Sequence, residues 1–148
     1  MQHRGPDCYG FLFQEHSRRP FLNDKAHELG VPAGPERKQL VQGQPITLVD
    51  GRVIQPEDVL GPSQNGTRLV MTGDLTELKG LESVIRNADA LVTEATYMDM
   101  DADLARDNAH LTAGKAARFA QKHAVKQLIL THISGRYRER DIEDEARR

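Results

Sequence analysis

Arg68-Leu69-Val70-Met71-Thr72-Gly73-Asp74, Ala90-Leu91-Val92-Thr93-Glu94 and Gln127-Leu128-Ile129-Leu130-Thr131-His132 are three short apolar runs. Each ends in a residue that can bind a metal or move a proton. Strands are expected at Arg68–Thr72, Ala90–Val92 and Gln127–Leu130, because the runs are too short for helices and rich in branched side chains. Between the first two, Thr76–Asn87 carries Leu78, Leu81, Val84 and Ile85 at helical spacing. A second helix is expected from Thr112 to about His123, where Ala113, Ala116, Ala117 and Ala120 permit close packing. Strand–helix–strand order with short connections predicts parallel strands packed on helices, an α/β domain.

In a parallel sheet the carboxyl ends of the strands share one edge, and sites form there. Asp74 and His132 can therefore converge although they are far apart in sequence. His110, in Asn108-Ala109-His110-Leu111-Thr112, lies on the loop before the second helix and can reach the same edge. Taken one at a time these residues have plainer readings. A Gly-Asp pair after a strand also makes a turn or a helix cap. A strand-end histidine also serves as a hydrogen-bonded structural residue, and Glu94 as a partly exposed acid paired with a base. Periodicity leaves both readings open.

The upstream part differs in composition. From Glu15 to Gly66 it is rich in Gly, Pro and charge. A brief helix is expected at Asn23–Leu29, capped by Asn23 or Asp24 and ended by Gly30 and Pro32, with Gly34-Pro35 as a further breaker. Pro45–Leu48, the Asp50-Gly51 turn and Arg52–Ile54 read as a small hairpin. With little apolar material of its own, this stretch reads as an arm. The expected division is a strand in 1–14, the arm and hairpin in 15–66, and the α/β part in 67–148. Tyr9, Phe11 and Phe13 alternate like a strand face turned to the core. His16, His27 and His123 read as surface residues.

Composition narrows the function classes. Lys plus Arg number 20 against 22 Asp plus Glu, so any nucleic-acid binding must use a local patch. The single cysteine, Cys8, excludes an internal disulfide framework and fits a reducing compartment. No apolar run approaches the roughly 20 residues that span a bilayer, and the start lacks the order of a secretory signal. A cytoplasmic protein with no membrane partner is expected.

Longer stretches carry a family likeness. Val70-Met71-Thr72-Gly73-Asp74, Val92-Thr93-Glu94-Ala95-Thr96, His110-Leu111-Thr112 and Leu130-Thr131-His132-Ile133-Ser134-Gly135-Arg136-Tyr137 occur in this order. They resemble segments of the metallo-β-lactamase superfamily, and within it of the ribonuclease Z family. Respectively, these are the strand ending in the metal-bridging aspartate, the His-Glu-Ala-Thr segment, the His-Ser/Leu-Thr segment and the segment with the last metal histidine. His3-Arg4-Gly5-Pro6 through Tyr9-Gly10-Phe11 is similar to the strand that carries another metal histidine. Leu29-Gly30-Val31-Pro32-Ala33-Gly34-Pro35 resembles the Gly-Pro segment of the family's tRNA-gripping arm.

The resemblance implies half of a metallo-β-lactamase-type αββα sandwich with an extended arm. It implies removal of the 3′ trailer of precursor tRNA by zinc-dependent phosphodiester hydrolysis, with two Zn2+ in a complete site and a homodimer in the full-length family. Asp74 would bridge the ions, His132 would complete one and His3 the other. His110 is similar to the family's catalytic histidine that binds no metal, with Glu94 orienting it. Arg18, Arg19, Lys25, Arg37 and Lys38 would meet the RNA. On local evidence alone they also read as an ordinary solvated loop.

The chain departs from the pattern at Leu75, where the family has threonine, and at Thr93, where it has histidine. The superfamily's His-x-His-x-Asp-His motif is missing from the 148 residues and is expected upstream of Met1, so the chain reads as a piece of an enzyme or a heavily reduced relative. Two alternatives remain: a binuclear hydrolase of small phosphodiesters or sulfate esters, and a non-catalytic RNA-binding fragment. Preference for a small chromogenic diester over precursor tRNA separates the first from a tRNA-processing enzyme.

Overall fold

A computed structural model describes residues 8–148. In chain order the elements are β1 (Gly10–Gln14), α1 (Asn23–Glu28), α2 (Pro35–Val41), β2 (Ile46–Thr47), β3 (Val53–Ile54), α3 (Pro56–Val59), β4 (Arg68–Thr72) and α4 (Glu82–Ile85). They continue with β5 (Ala90–Glu94), a 3-10 turn at Asp99–Asp101, α5 (Ala102–Asp107), α6 (Ala113–Lys122), β6 (Leu128–Thr131) and α7 (Glu139–Ala146). The chain divides into two compact units, one of Met1–Gln14 with Thr67–Arg148 and the other of Glu15–Gly66.

The first unit is built on a four-stranded sheet in the order β1-β4-β5-β6. β4, β5 and β6 run parallel, and β1 is antiparallel to β4. Side chains alternate along each strand, so register assigns the two faces. Val70, Leu91 and Leu128 share one face, where they pack with Leu75, Leu78, Ile85 from α4 and Ala120 from α6. A smaller cluster joins Ala95 and Ala113 to Ile142 of α7. Pairing of Phe11 with Met71, Phe13 with Leu69, Met71 with Val92 and Val92 with Ile129 puts these side chains on the other face. That face is open: Phe11 is 61% and Phe13 54% exposed. The aromatic residues Tyr9, Phe11 and Phe13, expected in the core, are therefore at the surface. Alternation tells which face a side chain takes but not whether a second layer covers that face.

The Thr76–Asn87 helix shortens to Glu82–Ile85, because Gly80 adopts a left-handed φ of 88° that interrupts the helical path. Leu78, Leu81, Val84 and Ile85 still all meet the same core, so their spacing reports burial more than helix. Thr112 caps α6 as expected, its Oγ1 accepting from the Lys115 N–H.

The second unit corrects the reading of 15–66 as poor in core. Ala26, Val31, Leu40, Ile46, Ile54 and Val59 form its own apolar cluster, each drawn from a different short element or loop. The Gly34-Pro35 breaker instead starts α2, with Pro35 in the first turn where no backbone N–H is needed. β2 and β3 pair antiparallel as the predicted hairpin, with Gly51 at φ 84° in its turn. The α1 cap is Leu22, without a side-chain bond, because the Asn23 side chain accepts from Arg37 instead. Among the described residues no helix is long and apolar enough to cross a membrane.

Candidate functional site

The parallel strands deliver their polar ends to one place. β4 runs through Gly73 into Asp74, β5 ends on Glu94, and β6 is followed at once by His132. His132 holds a left-handed φ of 55° and Ala109, just before His110, one of 63°. Such values are uncommon outside glycine. Ligand-capable atoms of Asp74, His110 and His132 all lie within 4.8 Å of one another. His132 Nδ1 is 3.5 Å from Asp74 Oδ1, and the two histidine rings are 5.1 Å apart. Asp74 and His132 remain about half-exposed, so a ligand can reach them.

Beneath this cluster lies Glu94, 1% exposed. Its Oε1 accepts from the Leu75 N–H at 2.8 Å and sits 2.9 Å from His110 Nδ1. Its Oε2 accepts from the Thr96 hydroxyl at 2.7 Å and the Leu111 N–H at 3.2 Å. Fixed backbone donors on both oxygens set the carboxylate as an acceptor, so His110 Nδ1 carries the proton of that bond. The chemistry of the His110 ring then falls to Nε2. Glu94 is not the partly exposed acid that one reading of the strand end allowed.

Two neighbours were not singled out from sequence. Thr96 links Glu94 to His132 Nδ1 at 2.8 Å, and the Cys8 thiol donates to the Asp74 carbonyl at 2.7 Å. A hydroxyl two residues beyond a strand-end acid was the available signal for the first. For Cys8 there was none, since the contact depends on β1 pairing with β4. Arg136 stacks on Tyr97 with its guanidinium carbon 5.5 Å from the ring centre, and Tyr97 borders His110.

One carboxylate oxygen and two imidazole nitrogens form a donor set that suits zinc. Among the described residues this is three side chains, with His3 outside the described range. His123, expected at the surface, is buried beside Phe119 with its Nδ1 unpaired. The apolar side of α6 draws it in.

The five cations assigned to RNA divide into two groups. Arg19 bonds the carbonyls of Gly61 and Leu60 and pairs with Glu57. Arg37 bonds the carbonyls of Pro32 and Val31 and the Asn23 side chain, and lies over the Phe21 ring. Both guanidiniums are committed to holding their own unit together. Arg18, Lys25 and Lys38 are exposed.

No protein-family model matches the chain. A protein of Bradyrhizobium diazoefficiens named Ribonuclease Z is 51% identical over 148 residues, all of this chain and 49% of that protein. Another of that name, from Bradyrhizobium sp. (strain ORS 278), is 48% identical over 99% of this chain and 49% of its own length. Among solved structures, the metallo-β-lactamase fold protein YhfI from Bacillus subtilis aligns with a TM-score of 0.51 at 22% identity, over 55% of this chain and 33% of YhfI. That likeness concerns the fold, and its extent agrees with a half-sandwich. The chain spans about half the length of the curated relatives it matches, and along all of that span it belongs to the ribonuclease Z family.

Proposed function

We propose that this chain supplies part of the catalytic centre of a zinc-dependent endoribonuclease that removes the 3′ trailer from precursor tRNA. The observation that carries the reading is the meeting of Asp74, His110 and His132 within 4.8 Å above the buried Glu94. The name borne by the relatives supplies the substrate class.

Asp74 and His132 would hold the metal, with His3 as a further ligand. Zinc bound there would supply Lewis-acid polarisation and lower the pKa of water. His110 is the proton donor. Its Nδ1–H is anchored on Glu94, so Nε2 delivers a proton to the oxygen that leaves as the phosphorus–oxygen bond breaks. Glu94 orients the ring. In residues 15–66, Arg18, Lys25 and Lys38 neutralise RNA phosphates, while Arg19 and Arg37 keep the unit in shape. The working protein is a homodimer in the cytoplasm.

The test is a chimera in which this chain replaces the matching half of the Bradyrhizobium diazoefficiens relative. Precursor tRNA should be cut with zinc present, and His110→Ala should slow cutting by about 10²–10⁴-fold without loss of metal. The 148 residues alone should not cut. His3, Asp74 and His132 give at most three ligands to a pair of ions that each need about three or four. A chimera that cleaves a small diester but ignores precursor tRNA would overturn the substrate assignment.

A further inference from the structure

We propose that Thr96 is a positioning residue that sets the tautomer of His132. The inference rests on His132 being a metal ligand, and it adds which nitrogen performs that task and what fixes it.

Thr96 is 8% exposed and its hydroxyl stands between two partners. Oγ1 lies 2.7 Å from Glu94 Oε2 and 2.8 Å from His132 Nδ1. A hydroxyl has a single proton to donate. Glu94 Oε2 already takes a backbone N–H from Leu111, and its partner oxygen takes one from Leu75. That carboxylate therefore presents lone pairs to Thr96, and the hydroxyl proton belongs in the Thr96–Glu94 bond. Oγ1 is then an acceptor toward His132, so Nδ1 of His132 carries a hydrogen. The lone pair of the neutral ring is on Nε2, and Nε2 is the ligand atom.

Glu94 thereby governs both histidines by the same logic, His110 directly and His132 through one hydroxyl. The alternative anchor for Nδ1 is Asp74 Oδ1, at 3.5 Å, which is the outer limit of a hydrogen bond. The left-handed backbone at His132 gives the ring a fixed origin, and Thr96 fixes its turn.

The experiment is nitrogen NMR of the imidazoles in the metal-free 148-residue chain labelled with ¹⁵N-histidine, at alkaline pH, with His132 assigned by its loss in His132→Ala. Wild type should show His132 as the Nδ1–H form. Thr96→Ser should keep that pattern. Thr96→Val, which matches the shape without the hydroxyl, should lose it, and the Nε2–H form should appear. Wild-type His132 in the Nε2–H form overturns the proposal whether or not the valine variant folds. So does a Thr96→Val chain that keeps the pattern while Asp74→Asn loses it, because Asp74 would then be the anchor. Neither metal nor RNA enters the measurement, so a chimera without nuclease activity would sink the functional reading, whereas the NMR pattern alone decides whether Thr96 sets the tautomer of His132.

Discussion

Charged side chains gather in two regions of this molecule and are used in opposite ways. At the strand ends, one buried carboxylate takes donors from three separate segments, at Leu75, at Thr96 and at His110-Leu111. The residues above it stay reachable from solvent. In residues 15–66, Arg19 and Arg37 turn back on carbonyls of their own unit. The first arrangement spends an internal charge to present external ones. The second uses up charge that looked available. Local density of Lys and Arg therefore does not measure a binding surface; the hydrogen-bond partners of each guanidinium do.

The strongest way to break this comparison is at Glu94. Glu94→Ala should cost about 3 kcal/mol or more, because two buried N–H groups and a hydroxyl lose their acceptor and each such loss costs about 1–3 kcal/mol. Denaturant unfolding of the chain measures it. A loss below about 1 kcal/mol would mean the carboxylate is peripheral to the fold and serves His110 alone.

Arg37 and Lys38 sharpen the other side, since they are neighbours in sequence with different surroundings. Arg37→Ala should destabilise residues 15–66 by about 1 kcal/mol, seen as faster amide exchange in that unit. Lys38→Ala should leave exchange unchanged and weaken precursor tRNA cleavage in the chimera, with small-diester hydrolysis intact. Equal effects of the two substitutions on exchange would erase the distinction.

The smallest effect concerns acid. The hydrogen bond from Arg118, followed by that from Thr112, holds the Asp99 carboxyl below the ordinary range. Lys126 does the same for Asp89. A depressed folded-state pKa stabilises the fold above the unfolded value of 3.8, and that contribution is lost as pH falls through the lower folded value. Stability should therefore hold down to about pH 4 and drop below it, with a shallower drop in Asp89→Asn. Neither carboxylate is hydrogen-bonded to Glu94, and the Lys126–Asp89 pair should keep its share of this acid limb in Glu94→Gln.

Much of the fold could be read locally. Strand β4 matches the expected Arg68–Thr72, Thr112 caps its helix, and the strands β4, β5 and β6 run parallel. Asp74, Glu94 and His132 could be named because each ends or follows a strand with a clear pattern, and His110 because it stands just before the Thr112 helix. Helix α7 could not. Glu139–Ala146 is nearly all charged and is anchored by the buried Ile142 in a cluster with Ala95 and Ala113, a contact between distant segments.

By itself, the sequence determined the succession β4, β5, α6, β6 and which polar residues stand near their ends, because these depend on spacings of two to four residues. Tertiary structure alone decided that Glu94 is buried with every donor around it, and that Thr96 lies between Glu94 and His132. It also decided that Phe11 and Phe13 face solvent and that Arg19 and Arg37 are committed while Lys38 is exposed. Those outcomes depend on which distant segment arrives at a given side chain, and burial and hydrogen-bond satisfaction are properties of that meeting rather than of the residue.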